Sequence, residues 1–180
     1  MDTLRFEKLV QRYSDLRIGI LGDFCLDQYL EIDPAREEIS IETGLPVHNI
    51  TRIRRQPGAS GTILNNLSAL GVGCIYPIGF TGQDAEGWAL RQALKARPGV
   101  CLDYFLETAE RSTFTYTKPL LMHPGQPPEE LNRLDIKNWS HTPDALPQQG
   151  ADALKKLILG DQIDALIVMP KTTPEIKVDA

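Results

Sequence analysis

Arg17-Ile18-Gly19-Ile20-Leu21-Gly22-Asp23 is the stretch on which the fold turns. A short apolar run, bounded by a charged residue and a Gly-Asp turn, reads as a strand buried on both faces. Upstream, Phe6, Leu9, Val10 and Tyr13 recur at helical spacing, predicting an amphipathic helix packed on the elements after it. Downstream, Thr62 to Leu70 reads as a helix that Gly71 stops, Val72 to Ile78 as a strand, and Asp84 to Ala96 as a helix with Leu90, Ala93 and Leu94 on one side. Val100 to Leu106 and Thr113 to Met122 are strand-like, and Leu131 to Ile136 is a returning partner strand. Ala151 to Leu159 reads as a helix and Ala165 to Met169 as a wholly apolar strand. Strands alternating with helices predict an α/β fold with a mainly parallel sheet covered on two faces. Between these elements, Leu30 to Arg55 alternates loosely around Pro34 and Pro46 and predicts short exposed strands, a candidate flap.

The chain has 180 residues, 42% of them hydrophobic, enough for one sizeable core. Nineteen Lys and Arg against 24 Asp and Glu leave a net charge of -5, so no concentrated basic face points to nucleic acid. Cys25, Cys74 and Cys101 are an odd set at long spacings, which fits neither a disulfide framework nor a metal site and suits a reducing cytoplasm. The charged N-terminus and the absence of any 18-residue apolar window predict a chain that is neither exported nor membrane-bound. After Met169, residues 170–180 are polar and proline-interrupted, predicting an irregular tail and a truncation or frame change near that point.

Gly22 to Asp27 lies just after the first strand, and ligands of open α/β sheets sit beyond the carboxyl ends of strands. Asp23 and Asp27 could accept hydrogen bonds from sugar hydroxyls there. The plainer alternative makes Asp23 a turn cap and Asp27 a solvated loop residue. Pro57-Gly58-Ala59-Ser60-Gly61 is turn chemistry leading into a helix start, where free N–H groups and a Ser or Thr hydroxyl favour an anion or a hydroxyl oxygen. An ordinary N-cap by Ser60 or Thr62 accounts for it equally well. His48, His123 and His141 lie far apart with no ligand spacing, so no metal site is expected. Arg52, Arg54 and Arg55 could reach a substrate phosphate, or form a solvated strand face.

Taken as an ordered set, the segments resemble the N-terminal half of the ribokinase-like (PfkB-type) carbohydrate kinases, and most of all their heptose-phosphate kinase branch. Four stretches carry the resemblance. Gly22 to Tyr29 looks like the family's first-strand signature, in which the second Asp, here Asp27, grips hydroxyls of the acceptor sugar. Pro57 to Thr62 with Asn66 is similar to the glycine-rich segment, and Gly79-Phe80-Thr81-Gly82-Gln83-Asp84 with Gly87 to the Gly-x-x-Gly-x-Asp motif. Arg111 to Leu121 and Leu131 to Asp135 look like the hairpin after it.

The resemblance implies a central sheet flanked by helices, with strands within 30–55 and 113–121 forming a small β lid over the sugar. That lid often pairs between subunits, so a homodimer is implied. It implies residues 1–169 as an acceptor-binding half with Asp27, Gly58, Gly61, Thr62 and Asn66 as substrate contacts and Asp23, Thr113 and Thr115 as secondary ones. Sugar or sugar phosphate would be the ligand, with ATP and Mg2+ serving the complete protein and bound by residues other than these. Two departures stand out: Thr62 occupies the place of a sugar-binding Asn, and Pro170-Lys171 comes after the last strand where an acidic residue is common. The Gly-Ala-Gly-Asp segment that carries the catalytic base has no counterpart in the 180 residues, so no catalytic residue is assigned and turnover by this chain alone is not expected. Two functional readings result: the acceptor half of a carbohydrate kinase, or a degenerate kinase fragment that binds sugar or dimerises without catalysis. A nicotinamide-binding domain fits poorly, because Gly19 to Asp23 lacks the third glycine and does not run directly into a helix.

Overall fold

The computed structural model describes residues 2–169. Its centre is a four-stranded parallel sheet in the order β11-β1-β6-β7, made of β1 (Arg17–Leu21), β6 (Cys74–Gly82), β7 (Phe105–Thr108) and β11 (Ala165–Val168). The first strand is central because alternate residues serve opposite faces. Ile18 and Ile20 enter a core with Leu64 of α2 (Ser60–Ala69) and Leu90 and Leu94 of α3 (Ala85–Lys95). On the other face, Leu21 and Leu166 pack with Ala153 and Leu157 of α4 (Ala145–Leu159). Leu64, Leu90, Leu94 and Leu157 are fully buried, each worth about 1.5–3 kcal/mol of removal from water.

A second sheet grows from the carboxyl edge of the first. Its order is β10-β8-β2-β5, from β2 (Phe24–Ile32), β5 (Ile50–Ala59), β8 (Thr115–Leu121) and β10 (Leu134–Ile136), with β9 (Glu129–Glu130) paired to β8. β2 leaves β1 after only Gly22 and Asp23, runs antiparallel to β5 and parallel to β8. A separate hairpin of β3 (Glu38–Ile39) and β4 (Pro46–Val47) projects Ile39, Ile41 and Leu45 into solvent. The expected strands of 30–55 and 113–121 are thus present, but the sheet they join begins earlier, at Phe24, in a nine-residue strand that buries Phe24, Leu26 and Ile32.

Three expectations change. The first helix forms as α1 (Thr3–Val10), capped by Asp2, yet it is not packed: Leu4, Phe6, Leu9 and Val10 are all exposed. Pro57 to Ala59 is not a turn; it is the last stretch of β5, and Ser60 starts α2 without a loop. That abrupt change is made at Ala59, whose φ of 51° and ψ of -120° lie where L residues are strained. Neither Ser60 nor Thr62 caps the helix, since Ala59 occupies the N-cap and offers no side-chain acceptor. The remaining boundaries shift by a few residues, the largest change being α4, which starts at Ala145 with Pro147 tolerated in its first turn. The expected tail at 170–180 lies outside the described residues.

Edge strand β11 is fastened to β1 by one bidentate contact. The Arg17 guanidinium donates to both Asp164 oxygens, at 3.2 Å from Nε and 2.8 Å from the terminal nitrogen, and the Arg17 N–H adds a third bond at 2.7 Å. Among the described residues no helix is long and apolar enough to cross a membrane.

Candidate functional site

Strand alternation in β2 sends Phe24 and Leu26 into the main core and Cys25, Asp27, Tyr29 and Glu31 to the opposite face. The register adds Gly58, Gln56, Arg54 and Arg52 from β5 and Tyr116 and Lys118 from β8 to that same face. Asp135 of β10 stands beside Tyr116. Two tyrosine rings organise this surface. Tyr29 lies between the Arg54 guanidinium, 4.6 Å from its centroid, and the Lys118 ammonium, 5.0 Å away. Tyr116 is flanked by Arg133 at 4.7 Å and Lys137 at 5.8 Å. The cations are in turn met by carboxylates: Arg54 by Glu31 at 2.5 Å, and Arg133 and Lys137 by Asp135 at 2.7 and 3.0 Å.

Asp27 holds the inner end of the face, part-open at 16% side-chain exposure. Its Oδ1 is 3.5 Å from Lys118 Nζ, and its Oδ2 lies against bare backbone at Gly58. A Cβ on Gly58 would stand 2.6 Å from that oxygen and 2.7 Å from Cys25 Sγ, so only glycine leaves the carboxylate its place. Burial, reinforced by the Asp27 charge, pushes the Cys25 thiol up to about 12, so it is a neutral wall of the site. Burial works against the Lys118 charge, but Asp27 and the Tyr29 hydroxyl outweigh it and hold the ammonium above its ordinary value. Asp27 is therefore a strand residue in a charged pair, where sequence reasoning left a solvated loop residue as the alternative.

The other expected residues take different places. Gly58 and Gly61 are buried at the junction of β5 and α2, while Thr62 and Asn66 are exposed one turn apart on α2. The neighbouring Asn65, not Asn66, turns inward, donating to the Pro57 carbonyl at 3.3 Å. Asp23 closes the junction through its carbonyl, which accepts from Ser60 N–H at 3.0 Å. Thr113 and Thr115 are fully buried and committed to the protein. The Thr113 hydroxyl donates to Asp84 and accepts from Gly82 N–H, and that of Thr115 donates to the Thr113 carbonyl. Sequence reasoning missed Tyr29 and Lys118 as parts of the site. The alternation in Thr115-Tyr116-Thr117-Lys118 signals a shared face for Tyr116 and Lys118, but only the β2–β8 pairing puts that face beside Asp27 and Tyr29.

No family model matches the chain. It is 36% identical over 106 residues to the bifunctional protein HldE of Gluconacetobacter diazotrophicus, covering 59% of this chain and 21% of the relative. It is 30% identical over 161 residues to the HldE of Trichlorobacter lovleyi, covering 89% of this chain and 31% of the relative. Among solved structures, one described as Sa239 superposes on 85% of this chain and 45% of its own, with TM-score 0.54 and 16% identity. The chain is ribokinase-like, similar to the PfkB-type carbohydrate kinases. Its likeness to the HldE proteins supports the resemblance to the heptose-phosphate kinase branch that its motifs carry. The family likeness reaches the fold as well: the parallel sheet with helices on both faces is the ribokinase-like architecture. The chain spans between about a fifth and a third of the length of the curated relatives it matches.

Proposed function

We propose that this chain supplies the acceptor-binding half of an ATP-dependent carbohydrate kinase, which transfers a phosphoryl group to a hydroxyl of a sugar or sugar phosphate. The observation that carries the reading is the Asp27 carboxylate, part-open and seated over Gly58 at the carboxyl edge of the parallel sheet. A carboxylate so placed accepts hydrogen bonds from hydroxyls without a side chain in its way. Gly58, Gly61, Thr62 and Asn66 would line the junction beside it, and the β2-β5-β8-β10 sheet would act as the lid that excludes water from transfer. Asp23 is a further contact on this reading, while the buried hydroxyls of Thr113 and Thr115 would shape the rim through the backbone.

The resemblance implies MgATP as donor. The sequence has no Gly-Ala-Gly-Asp segment, and among the described residues no group of three or more His, Cys, Asp or Glu could hold a metal ion. The described residues do not fit the donor, and no donor-side step is assigned to them. Phosphoryl transfer rests on positioning and charge stabilisation, of which these residues would provide the acceptor's share.

The test is calorimetric titration of the chain with a sugar and sugar-phosphate panel, alongside a coupled ADP-release assay. Saturable binding that Asp27→Ala weakens about ten- to hundredfold, the range for a hydrogen bond to a charged group, is expected without ADP release. Binding indifferent to Asp27→Ala would defeat the reading. A second reading, a non-catalytic dimerising or sugar-binding module, is favoured by Thr62 in place of the family's Asn and by the exposed Ile39, Ile41 and Leu45. It predicts a dimer in sedimentation, with the dimer lost when these three residues are made polar.

A further inference from the structure

The ion pair between Asp27 and Lys118 is slack. At 3.5 Å it is longer than the 2.7–2.9 Å typical of a charged N–H to carboxylate hydrogen bond. Among the described residues Lys118 has no closer carboxylate: its other polar neighbour is the Tyr29 hydroxyl at 3.4 Å. That hydroxyl is itself steadied by Gln56 Nε2, also at 3.4 Å. Arg54, Arg133 and Lys137 of this face differ, each having a carboxylate oxygen within about 3 Å, and Arg52, which stands 4.0 Å from Glu31, lies in the open at 68% side-chain exposure. Both members of the slack pair remain part-open, at 21% and 16% side-chain exposure. An ammonium keeps three donors and a carboxylate only acceptors. Together they suit one group that accepts from the first and donates to the second, which describes an alcohol.

We propose that Lys118 is a second acceptor-contacting residue, which with Asp27 forms a donor–acceptor pair that reads one particular hydroxyl of the sugar; this rests on the reading of Asp27 above. The hydroxyl donates its proton to Asp27 and accepts from Lys118 Nζ, and each bond polarises the other. Tyr29 fixes the ammonium through its ring face and its hydroxyl, so the lysine side chain is held before the ligand arrives. Such a pair selects by chemistry as well as by shape. An analogue without that hydroxyl leaves two part-buried charges without their mediator, and the site rejects it far more strongly than a pocket rejects a missing methylene.

The experiment is a double-mutant cycle in which one partner is the ligand. The full chain is titrated with D-ribose, D-fructose, D-mannose and D-mannose 6-phosphate. The monodeoxy analogues of the tightest binder are then titrated into wild type, Lys118→Met and Asp27→Asn. At one ring position the deoxy analogue is expected to bind wild type at least tenfold more weakly than the parent. Lys118→Met is expected to weaken the parent by a similar factor and that deoxy analogue by less than threefold. Losses that multiply at every position overturn the Lys118 assignment, while leaving the Asp27 reading in place if Asp27→Asn still removes the preference. Binding unaffected by Asp27→Asn, or no binding of any of the four sugars, overturns the Asp27 reading and this inference with it. If Lys118→Met lowers the thermal midpoint, Lys118→Gln, which keeps an N–H donor group without the charge, runs the same cycle.

Discussion

The Thr113 hydroxyl donates to Asp84 Oδ1 at 2.7 Å while accepting from Gly82 N–H at 2.8 Å, and Asp84 Oδ2 accepts from Thr113 N–H at 2.8 Å. Asp84 also caps α3 through Gly87 N–H at 2.7 Å. One carboxylate thus joins the end of β6, the start of α3 and the approach to β8. Gly82 and Gly87 are glycines because a Cβ on either would run into this cluster.

That cluster makes a prediction about stability. Asp84→Ala removes a helix cap and strands buried donors, so it is expected to cost about 2–4 kcal/mol in urea unfolding. Thr113→Val is expected to cost about 1–3 kcal/mol, and Thr113→Ser, which keeps the hydroxyl, less than half as much. Equal losses for Val and Ser would mean that packing of the methyl group matters as much as the hydroxyl at this position.

Ala59 carries backbone strain that sequence gives no reason to expect. Its φ of 51° with ψ of -120° is a conformation glycine adopts at little cost. Ala59→Gly should therefore stabilise the chain by about 1 kcal/mol, the relieved strain exceeding the entropy that glycine gains when unfolded. A fall in the denaturation midpoint on this substitution would show that the alanine methyl packs usefully enough to outweigh the strain.

These two positions also mark what was legible in the sequence. The apolar runs of β1, β6 and β11, the helical pattern from Asp84 to Ala96 and the Gly71 stop are local signals, and each led to an element close to the expected place. Asp27 was legible as a candidate by its position after the first strand. Pro57-Gly58 reads as a turn because glycine and proline punctuate turns more often than strands, yet it lies within β5. Here the glycine answers to the Asp27 and Cys25 side chains on the neighbouring strand. Lys118 was invisible because parallel pairing of β2 with β8 is non-local, and no local pattern sets its register. The exposure of α1 was equally hidden, since an amphipathic repeat predicts an apolar face without saying whether anything covers it.

Acid should loosen the edge of the main sheet. Hydrogen bonding from the Arg17 side chain and backbone holds the Asp164 carboxyl below its usual range. A folded-state value below the unfolded one means the folded protein favours the ionised form. The contribution is then complete above the ordinary carboxylate range and is lost as pH falls through the depressed value. Urea midpoints measured from pH 6 down to pH 2.5 should fall for wild type, and less steeply for Asp164→Asn over the part below about pH 4. Parallel curves for the two proteins would show that the contact is too solvated to matter, which its exposed position makes a fair trial.

Gly58 offers a test of the site that leaves every charged group in place. In Gly58→Ala the new methyl would stand 2.6 Å from Asp27 Oδ2 and 2.7 Å from Cys25 Sγ, well inside van der Waals contact. Cys25 is buried and cannot retreat, whereas Asp27 is part-open and can swing outward. The carboxylate is therefore the group that moves, and a displacement of about 1 Å is enough to misplace a hydrogen bond. Sugar binding should fall by about tenfold or more while the far-UV circular dichroism spectrum is unchanged, because the strand itself tolerates alanine. Cys25→Ser in the same background makes room on the other side of the methyl and should recover part of the affinity. Full affinity in Gly58→Ala alone would mean that the acceptor does not depend on where the Asp27 carboxylate sits.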